Sequence, residues 1–267
     1  MKMRNANLDL RNAEYMSNHI SPERSSAGAV GLFPSCPQCI AYRFGICQSV
    51  TANIPGFPAE QAFEQSAHTT QARRIICRGQ DMEYGVPFIC SGWAVTAVRL
   101  SDGSRQILSF LLPGDIVSTA LLFESKTELF VEAVTDVSYR TFSRIALKKL
   151  IFSNPESFAP IGKLWIEEKT RADELIVDLG RRTADERIAR LILGLVDRLQ
   201  QRGMVQGDQL EFEFPLRQHH IADATGLTPV HVSKVLSEFR RRKLIALNER
   251  SLAILDLDAF RRTADMR

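Results

Sequence analysis

The chain has 267 residues, of which 45% are hydrophobic and 24% are charged, and its formal net charge is +3. This length and composition favour two domains with packed cores and exclude a chain that is disordered throughout. The longest apolar run is far too short to span a membrane and no signal-peptide pattern opens the chain, so we expect a cytoplasmic protein without a membrane partner.

The cysteines cluster towards the amino terminus. Residues 1–34 are predicted to be a mobile tail, and a cysteine segment begins the next predicted domain, residues 35–150. The chain has five cysteines: Cys36, Cys39, Cys47, Cys77 and Cys90. An odd number without an export signal argues against a disulfide framework and favours reduced thiols that serve as metal ligands or redox sensors.

Short alternating apolar stretches separated by turn residues occupy residues 72–142. Their spacing of roughly ten residues, with glycine-containing turns between them, is typical of a compact antiparallel barrel or roll. The predicted strands are Arg73–Cys77, Val86–Cys90, Trp93–Ala97, Ile107–Leu112 and Phe130–Thr141.

A helical period replaces this alternation from Pro155 to Leu179. One stripe of the predicted helix carries Ile161, Leu164, Trp165, Glu168, Ala172, Leu175, Ile176 and Leu179. The stripe is close to a heptad repeat, which predicts a dimerisation helix over residues 155–182; a helix that packs on its own barrel is the alternative. Glu168 interrupts the stripe, either as a charge that repels its copy in the partner chain or as a solvent-facing residue at the edge.

Residues 183–267 are predicted to form a winged helix-turn-helix. Two helices meet at Gly226, a residue suited to a left-handed helix end, and Thr228 caps the second helix with Pro229 at its first position. Two short strands follow within residues 244–255. Such a unit places its second helix in the major groove of DNA while other donors hold phosphates. The alternative is a helical hairpin with a solvated basic face.

The outward side of this unit is polar and basic. Its candidate DNA-binding residues are Arg217, Gln218, His219, Thr228, Val230, His231, Ser233, Lys234, Ser237, Arg240 and Arg241. Hydroxyl, imidazole and cationic donors of this kind can bond base edges and phosphate oxygens, so double-stranded DNA is the expected partner.

Several motifs resemble the Crp/Fnr family of bacterial transcription regulators. The matching segments, which follow one another in the family's order, are Phe88–Gly92, Leu100–Gln106, Phe110–Asp115, Ile221–Thr228 and Val232–Lys234. The resemblance implies an α+β protein with an amino-terminal double-stranded β-roll sensor domain of the cyclic-nucleotide-binding type, a long dimerisation helix and a carboxy-terminal winged helix-turn-helix. It also implies a homodimer on a palindromic site and RNA polymerase as a second protein partner.

The resemblance also identifies three positions for contacts to bases. The family's usual Glu, Ser and Arg correspond to Val230, Ser233 and Lys234. Lys234 keeps a donor suited to guanine, whereas Val230 cannot accept a hydrogen bond from a cytosine amine. We therefore expect DNA binding with a half-site that differs from the family's usual one, and with His231 and Ser233 taking part in base recognition.

The sequence of the roll also indicates which ligands it could bind. Family members that bind a cyclic nucleotide use a Gly-Glu pair and a later Arg-Ser. The corresponding segments here are Ile116–Ala120 and Lys126–Phe130; they lack the phosphate-binding arginine, and Glu128 would repel an anion. We therefore expect no cyclic nucleotide.

The spacing Cys36-x2-Cys39-x7-Cys47 resembles the iron–sulfur loop of oxygen-sensing Fnr-type members, and it implies a [4Fe-4S] cluster. The family's fourth cysteine is missing from its usual strand. Cys90, Cys77, a carboxylate or water are the candidates for the fourth ligand. Zinc binding, and thiol oxidation without a metal, remain open alternatives.

Other classes of protein fit the chain less well. There is no phosphate-binding glycine loop and no nucleophile-elbow pattern, so we expect no enzymatic activity. Two alternatives to a cluster-containing DNA-binding regulator remain. One is a ligand-controlled module that does not bind DNA, and the second is a Crp/Fnr-like regulator without a cluster. The second would respond to an unknown small ligand, to thiol oxidation or to its own abundance.

Overall fold

The computed structural model describes residues 43–45, 47, 68–82, 85–123, 127–153, 155, 158–205 and 210–265. The predicted tail and two of its neighbouring cysteines, Cys36 and Cys39, lie outside these residues. The β-strands are β1 (His68–Thr70), β2 (Ile75–Arg78), β3 (Gly85–Ser91), β4 (Ala94–Arg99), β5 (Arg105–Leu111), β6 (Phe130–Ala133), β7 (Val137–Ser143), β8 (Glu211–Glu213), β9 (Ile245–Leu247) and β10 (Ser251–Ile254). The α-helices are α1 (Arg144–Ser153), α2 (Phe158–Arg181), α3 (Ala184–Gln201), α4 (Gln218–Thr225), α5 (Pro229–Arg241) and α6 (Leu257–Asp265).

The first seven strands form the predicted roll. They make two antiparallel sheets, of strand orders β1-β7-β3 and β2-β6-β4-β5. The alternation of apolar residues explains this arrangement, because inward side chains such as Phe88 of β3 and Val131 of β6 are buried between the sheets. Short 3-10 helices over Gly79–Met82 and Thr119–Leu122 connect the strands.

The predicted strand Phe130–Thr141 is in fact two strands, β6 and β7, which belong to different sheets. The chain turns between them, where the backbone N–H of Val134 donates to the carbonyl of Trp93 at 2.8 Å. The apolar alternation continues through this turn, so the pattern alone did not reveal the break.

β1 and α1 are among the elements that were not predicted from the sequence. β1 is a polar three-residue strand, and it exists because it pairs with β7. α1 begins at Arg144, whose buried guanidinium donates to the carbonyl oxygens of Leu121 and Met82. Both elements depend on partners distant in sequence, which short-range patterns do not show.

The last residues form the predicted winged helix-turn-helix. α3 packs against α4, α5 and α6, and α5 also contacts β9 of the three-stranded sheet β8-β10-β9. Phe239 and Phe260 are fully buried at its centre, with their rings in edge-to-face contact at 5.4 Å. No helix in the described part of the chain is both long and apolar enough to cross a membrane.

Candidate nucleic-acid interface

A tight turn sets the angle between α4 and α5. Gly226 ends α4 in the left-handed region with φ of 65°, a conformation that a residue with a Cβ adopts at a cost. The hydroxyl of Thr228 then accepts a hydrogen bond from the backbone N–H of His231 at 3.2 Å, and Pro229 occupies the first helical position. The predicted cap and turn are confirmed, and they direct the first turn of α5 out of the domain.

The two sides of α5 differ in exposure. Val232, Val235, Leu236 and Phe239 are buried against the rest of the domain. The opposite side carries the predicted candidates: Val230, His231, Lys234, Ser237, Arg240 and Arg241 are exposed, and Ser233 is half-buried. The structure therefore brings these residues together on one accessible helix face, as predicted.

The carboxy-terminal end of this face is held by local polar contacts. Arg241 donates to both carboxylate oxygens of Glu238 at 2.7 and 2.8 Å, and Arg240 donates to the hydroxyl of Ser237 at 3.1 Å. Because these side chains are exposed, such contacts contribute little to stability and can be exchanged for phosphate.

α4 contributes Gln218 and His219 to the same surface, and Arg217 precedes them; all three are exposed. The next residue, His220, is buried, and its Nδ1 accepts a hydrogen bond from the backbone N–H of Arg217 at 3.1 Å. Burial, together with the charges of His219 and Arg105, lowers the pKa of His220 to about 3. His220 is therefore neutral at physiological pH and structural, because only the neutral ring can accept this bond.

The pKa of His219 is also lowered, first by burial and then by the charge of Arg105. A neutral imidazole offers DNA a hydrogen bond but no positive charge.

Arg250 is a further candidate phosphate contact, which was not predicted from the sequence. It is exposed in the turn between β9 and β10, beside Asn248, whose backbone N–H donates to the carbonyl of Ser251 at 2.9 Å. The signal was present in the sequence as a basic residue between two short predicted strands.

The DNA-binding domain is joined to the roll through Arg105. This residue of β5 donates to the carboxylate of Asp223 in α4 at 2.5 Å and to that of Glu132 in β6 at 2.8 Å. The neighbouring Gln106 donates to the carbonyl of Ala224 at 3.2 Å. These contacts were not predicted, and they connect the first helix of the helix-turn-helix to the roll.

A second junction forms around Asp115, at the end of the Phe110–Asp115 motif. Its carboxylate accepts hydrogen bonds from Arg198 of α3 and from Arg202, which directly follows α3, the latter at 2.7 Å. The same arginines also donate to the carbonyl oxygens of Phe110 and Pro113, at 2.9 and 3.0 Å. Because all three charged side chains are largely buried, the junction is a buried ion-pair network between the roll and α3.

The predicted dimerisation stripe divides into two faces of α2. Trp165 and Ile176 are 58% and 68% exposed, and Ala172 is exposed beside them. The other predicted apolar positions lie on the adjoining side of the same stripe: Ile161 is buried in the roll's own core, and Leu164, Leu175 and Leu179 are half-buried. The stripe therefore combined residues that contact the chain's own domains with residues that remain available to a partner.

Glu168 lies on the inward face of α2. Its carboxylate accepts hydrogen bonds from the hydroxyls of Ser118 and Thr119, at 2.7 and 2.6 Å, and from the backbone N–H of Thr119 at 2.8 Å. This contradicts both roles considered for Glu168 from the sequence, because a carboxylate bonded to its own roll neither repels its copy across a dimer seam nor points into solvent.

Three of the five cysteines, Cys47, Cys77 and Cys90, lie within the described residues. Cys47 and Cys77 are buried in the hydrophobic core of the roll, and Cys90 packs at its edge. Residues 43–265, apart from their undescribed gaps, contain no group of three or more His, Cys, Asp or Glu arranged to hold a metal. Since Cys36 and Cys39 fall outside the described residues, the ligand set stays a prediction.

Both domains match known families. Residues 68–154 match the cyclic nucleotide-binding domain family, and residues 186–263 match the Crp-like helix-turn-helix domain family. The first match covers most of the roll with α1. The second covers almost all of α3 and the helix-turn-helix with its wing.

Curated proteins that are similar to this chain are regulatory proteins. The nitrogen fixation regulation protein FixK of Bradyrhizobium diazoefficiens is 32% identical over 59% of this chain and 64% of its own length. FixK of Rhizobium meliloti is 33% identical over 61% of this chain and 70% of its own. The transcriptional regulatory protein btr of Bordetella pertussis is 27% identical over 87% of this chain and 95% of its own.

Solved structures share the fold. FixK2 from Bradyrhizobium japonicum superposes with a TM-score of 0.66 at 22% identity, over 76% of this chain and 98% of its own. A CooA mutant from Carboxydothermus hydrogenoformans gives a TM-score of 0.65 at 19% identity, over 83% and 96% of the two chains. With the roll, the helix-turn-helix and the FixK relatives in agreement, the chain belongs to the Crp/Fnr family of transcription regulators.

Proposed function

We propose that the protein is a homodimeric transcription regulator that binds a palindromic DNA site through α5 and contacts RNA polymerase at its promoters. The observation that supports this proposal most directly is the exposed face of α5. Ser233 and Lys234 lie on this face, and the apolar residues on the other side of the helix are buried. A helix with this division inserts in the major groove while its domain remains packed.

The residues of this face divide into two roles. Ser233 and Lys234, in the first turns of α5, are placed to bond base edges, whereas Arg240 and Arg250 lie at the helix end and in the wing and contact phosphates. This division predicts different consequences for their loss. Base contacts determine sequence preference, and phosphate contacts determine affinity and its salt dependence.

Val230 supports a specific base contact. It is 66% exposed at the start of α5, so most of its apolar surface is accessible to a partner. A valine in the major groove can contact the C5-methyl group of thymine. The proposed half-site therefore contains a thymine opposite Val230, and replacing that thymine by uracil, which lacks the methyl group, weakens binding.

Dimerisation is proposed through the exposed face of α2. Trp165, Ala172 and Ile176 are spaced by seven and four residues, and Ile166 and Val177 extend the apolar surface beside them. Two such helices packed side by side bury this surface and place two copies of α5 on successive turns of DNA.

The test begins by selecting a duplex from random sequence with the full chain, followed by mobility shifts on that duplex. Lys234→Gln is expected to weaken binding to the selected duplex by about 1–3 kcal/mol and to relax preference at one base pair. Arg240→Gln weakens binding to selected and random duplexes alike and reduces the slope of log K against log salt by about 0.9.

Lys149→Gln is the matched control, because Lys149 is an exposed lysine of α1, which packs on β7 of the roll and not on α5. It is expected to bind as the unmodified protein does. Equal binding by the Lys234→Gln and control variants, or no selection of any duplex, would contradict the proposal.

We further propose that the cysteine segment makes the regulator responsive to oxygen or redox state. The thiols of Cys36, Cys39 and Cys47 have the spacing and soft donor character that suit an iron–sulfur cluster. Such a cluster, when bound, would make the protein sensitive to oxygen. Anaerobic purification followed by an absorbance spectrum and iron and sulfide assays tests this, with Cys39→Ser as the comparison. Equal iron content in both proteins would exclude Cys39 as a ligand.

A further inference from the structure

Residues 43–45 of the cysteine segment touch the turn formed by residues 112–115 of the roll. Gly45 and Gly114 approach each other so closely that a Cβ added to Gly45 would lie 1.9 Å from the carbonyl oxygen of Gly114. In the other direction, a Cβ added to Gly114 would lie 3.1 Å from the Cβ of Phe44. Because neither glycine carries a side chain, the two backbones make a direct contact between the segment and the turn.

Both partners of this contact are anchored in the roll. Cys47 follows Gly45 by two residues and is buried in the hydrophobic core. In the turn, the backbone N–H of Gly114 donates to the carbonyl of Ile89 at 2.8 Å, and the N–H of Ile89 donates to the carbonyl of Asp115 at 2.9 Å. Because packed and hydrogen-bonded groups have little room to move, a displacement of the segment shifts the turn as well.

The same turn is bonded to the end of α3. Its Asp115 carboxylate accepts hydrogen bonds from Arg198 and Arg202, and the carbonyl of Pro113 accepts a further one from Arg202 at 3.0 Å. α3 packs against both helices of the helix-turn-helix, α4 and α5. A continuous series of contacts therefore leads from the cysteine segment through the two glycines, the turn and α3 to the DNA-binding helix.

We propose that residues 43–45 are a regulatory contact. The position of the cysteine segment determines, through Gly114 and Asp115, how α3 and the DNA-binding helix α5 are oriented on the roll. This series of contacts does not include the proposed dimer seam of α2. A disturbance at Gly45 therefore changes DNA binding while the dimer remains intact. The effect on DNA binding rests on the proposed function, whereas the coupling between the segment and α3 does not.

The place of Gly45 in the sequence connects this contact with the cysteines. Gly45 lies between Cys39 and Cys47, two of the thiols that are proposed to respond to oxygen or redox state. A change in the bonding of either thiol alters the chain on one side of Gly45. The contact with Gly114 then transmits that change to the junction with α3.

Hydrogen-exchange mass spectrometry on the full chain without DNA tests the coupling. Gly45→Ala introduces a Cβ that displaces the turn, and it is expected to speed amide exchange in residues 198–202 by about fivefold or more. Arg202→Gln removes hydrogen bonds to the turn from the other side. It is expected to speed exchange in residues 43–47 by a similar factor.

Two control variants separate this effect from a general loss of stability. Gly103→Ala makes the same substitution at a glycine that also has a positive φ, 85°, but whose added Cβ meets no heavy atom of the described structure within 4 Å beyond its chain neighbours. Arg261→Gln removes an exposed arginine of α6. Neither control is expected to change exchange in residues 43–47 or 198–202. Melting temperatures verify that each variant is folded, and if Gly45→Ala is not, the result with Arg202→Gln decides the coupling.

Mobility shifts and sedimentation velocity test the consequence for DNA binding. Gly45→Ala is expected to weaken binding to the selected duplex by about fivefold or more, because a displaced α3 moves α5 away from the spacing that two half-sites require. Its sedimentation coefficient is expected to equal that of the unmodified chain. Gly103→Ala is expected to bind the duplex as the unmodified chain does.

Unchanged exchange in residues 198–202 of Gly45→Ala overturns the proposal, and so does unchanged exchange in residues 43–47 of Arg202→Gln. Duplex binding by Gly45→Ala at the affinity of the unmodified chain also overturns it. Conversion of this variant to a monomer does the same, because it assigns the effect to the seam. If no duplex is selected, the proposed function fails, while the exchange measurements without DNA still decide whether the segment is coupled to α3.

Discussion

Replacing Asp115 by Asn tests whether the roll and the DNA-binding domain are joined by a buried charge network. The carboxylate accepts bonds from Arg198, Arg202 and the backbone N–H of Leu112, with side-chain exposures of 14% for Asp115 and 15% and 9% for the two arginines. Removing one partner of such a buried network costs about 3–5 kcal/mol, because the remaining charges lose their counter-ion. Since Asn keeps one accepting oxygen, we expect the free energy of unfolding to fall by about 3 kcal/mol.

Urea denaturation followed by tryptophan fluorescence measures this change, since Trp93 is buried in the protein core. The matched control is Asp173→Asn, which makes the same substitution in the Lys169–Asp173 pair, where the two side chains are 66% and 55% exposed. An exposed pair of this type contributes only about 0.3–0.5 kcal/mol. A loss below about 1 kcal/mol for Asp115→Asn, or a loss equal to that of the control, would refute the reasoning that burial decides the effect.

Three further predictions concern the backbone, the pH dependence and the dimer. Lys243 has a φ of 55° at the end of α5, so Lys243→Gly should raise the free energy of unfolding by about 1 kcal/mol, measured as a shift of the urea midpoint. The pKa of His220 is lowered to about 3 in the folded protein, compared with about 6.5 in the unfolded chain. The contribution of its neutral ring to the free energy of unfolding is therefore fully present above pH of about 6.5 and decreases as the pH falls towards the pKa of the folded protein. We expect a loss of about 1–2 kcal/mol between pH 7 and 5 that is absent in His220→Gln and kept in the exposed control His231→Gln. Ile176→Glu should convert the dimer to monomer in sedimentation velocity, and an unchanged sedimentation coefficient would place the seam elsewhere.

The local features of the DNA-binding unit could be predicted because their causes lie within a few residues. Gly226 provides the left-handed turn, while Thr228 and Pro229 start α5 by bonding and shaping the residues that directly follow them. The strands of the roll could also be predicted, because their alternation of apolar and polar residues follows from the pleat of each strand. One strand was predicted where the structure has two, because alternation continues through the turn at Val134.

The two faces of α2 were not separable from sequence. Trp165 and Glu168 are three residues apart, so a helical stripe includes both, although one is exposed and the other bonds the roll. The spacing of apolar residues indicates which residues share one side of the helix. It does not indicate whether that side contacts the chain's own domain or a second chain.

Composition, periodicity and capping patterns thus determined the two domains, their order and the exposed face of α5, since these depend on backbone propensity and on nearby hydrogen bonds. Only the tertiary structure decided which charges meet: Arg105 and Asp223 are 118 residues apart, and Asp115 and Arg202 are 87 apart. Ion pairs leave no periodic mark in a sequence, because a charged residue looks the same whether its partner is solvent, DNA or another domain. The junctions at Asp115 and Asp223 follow from how the chain packs.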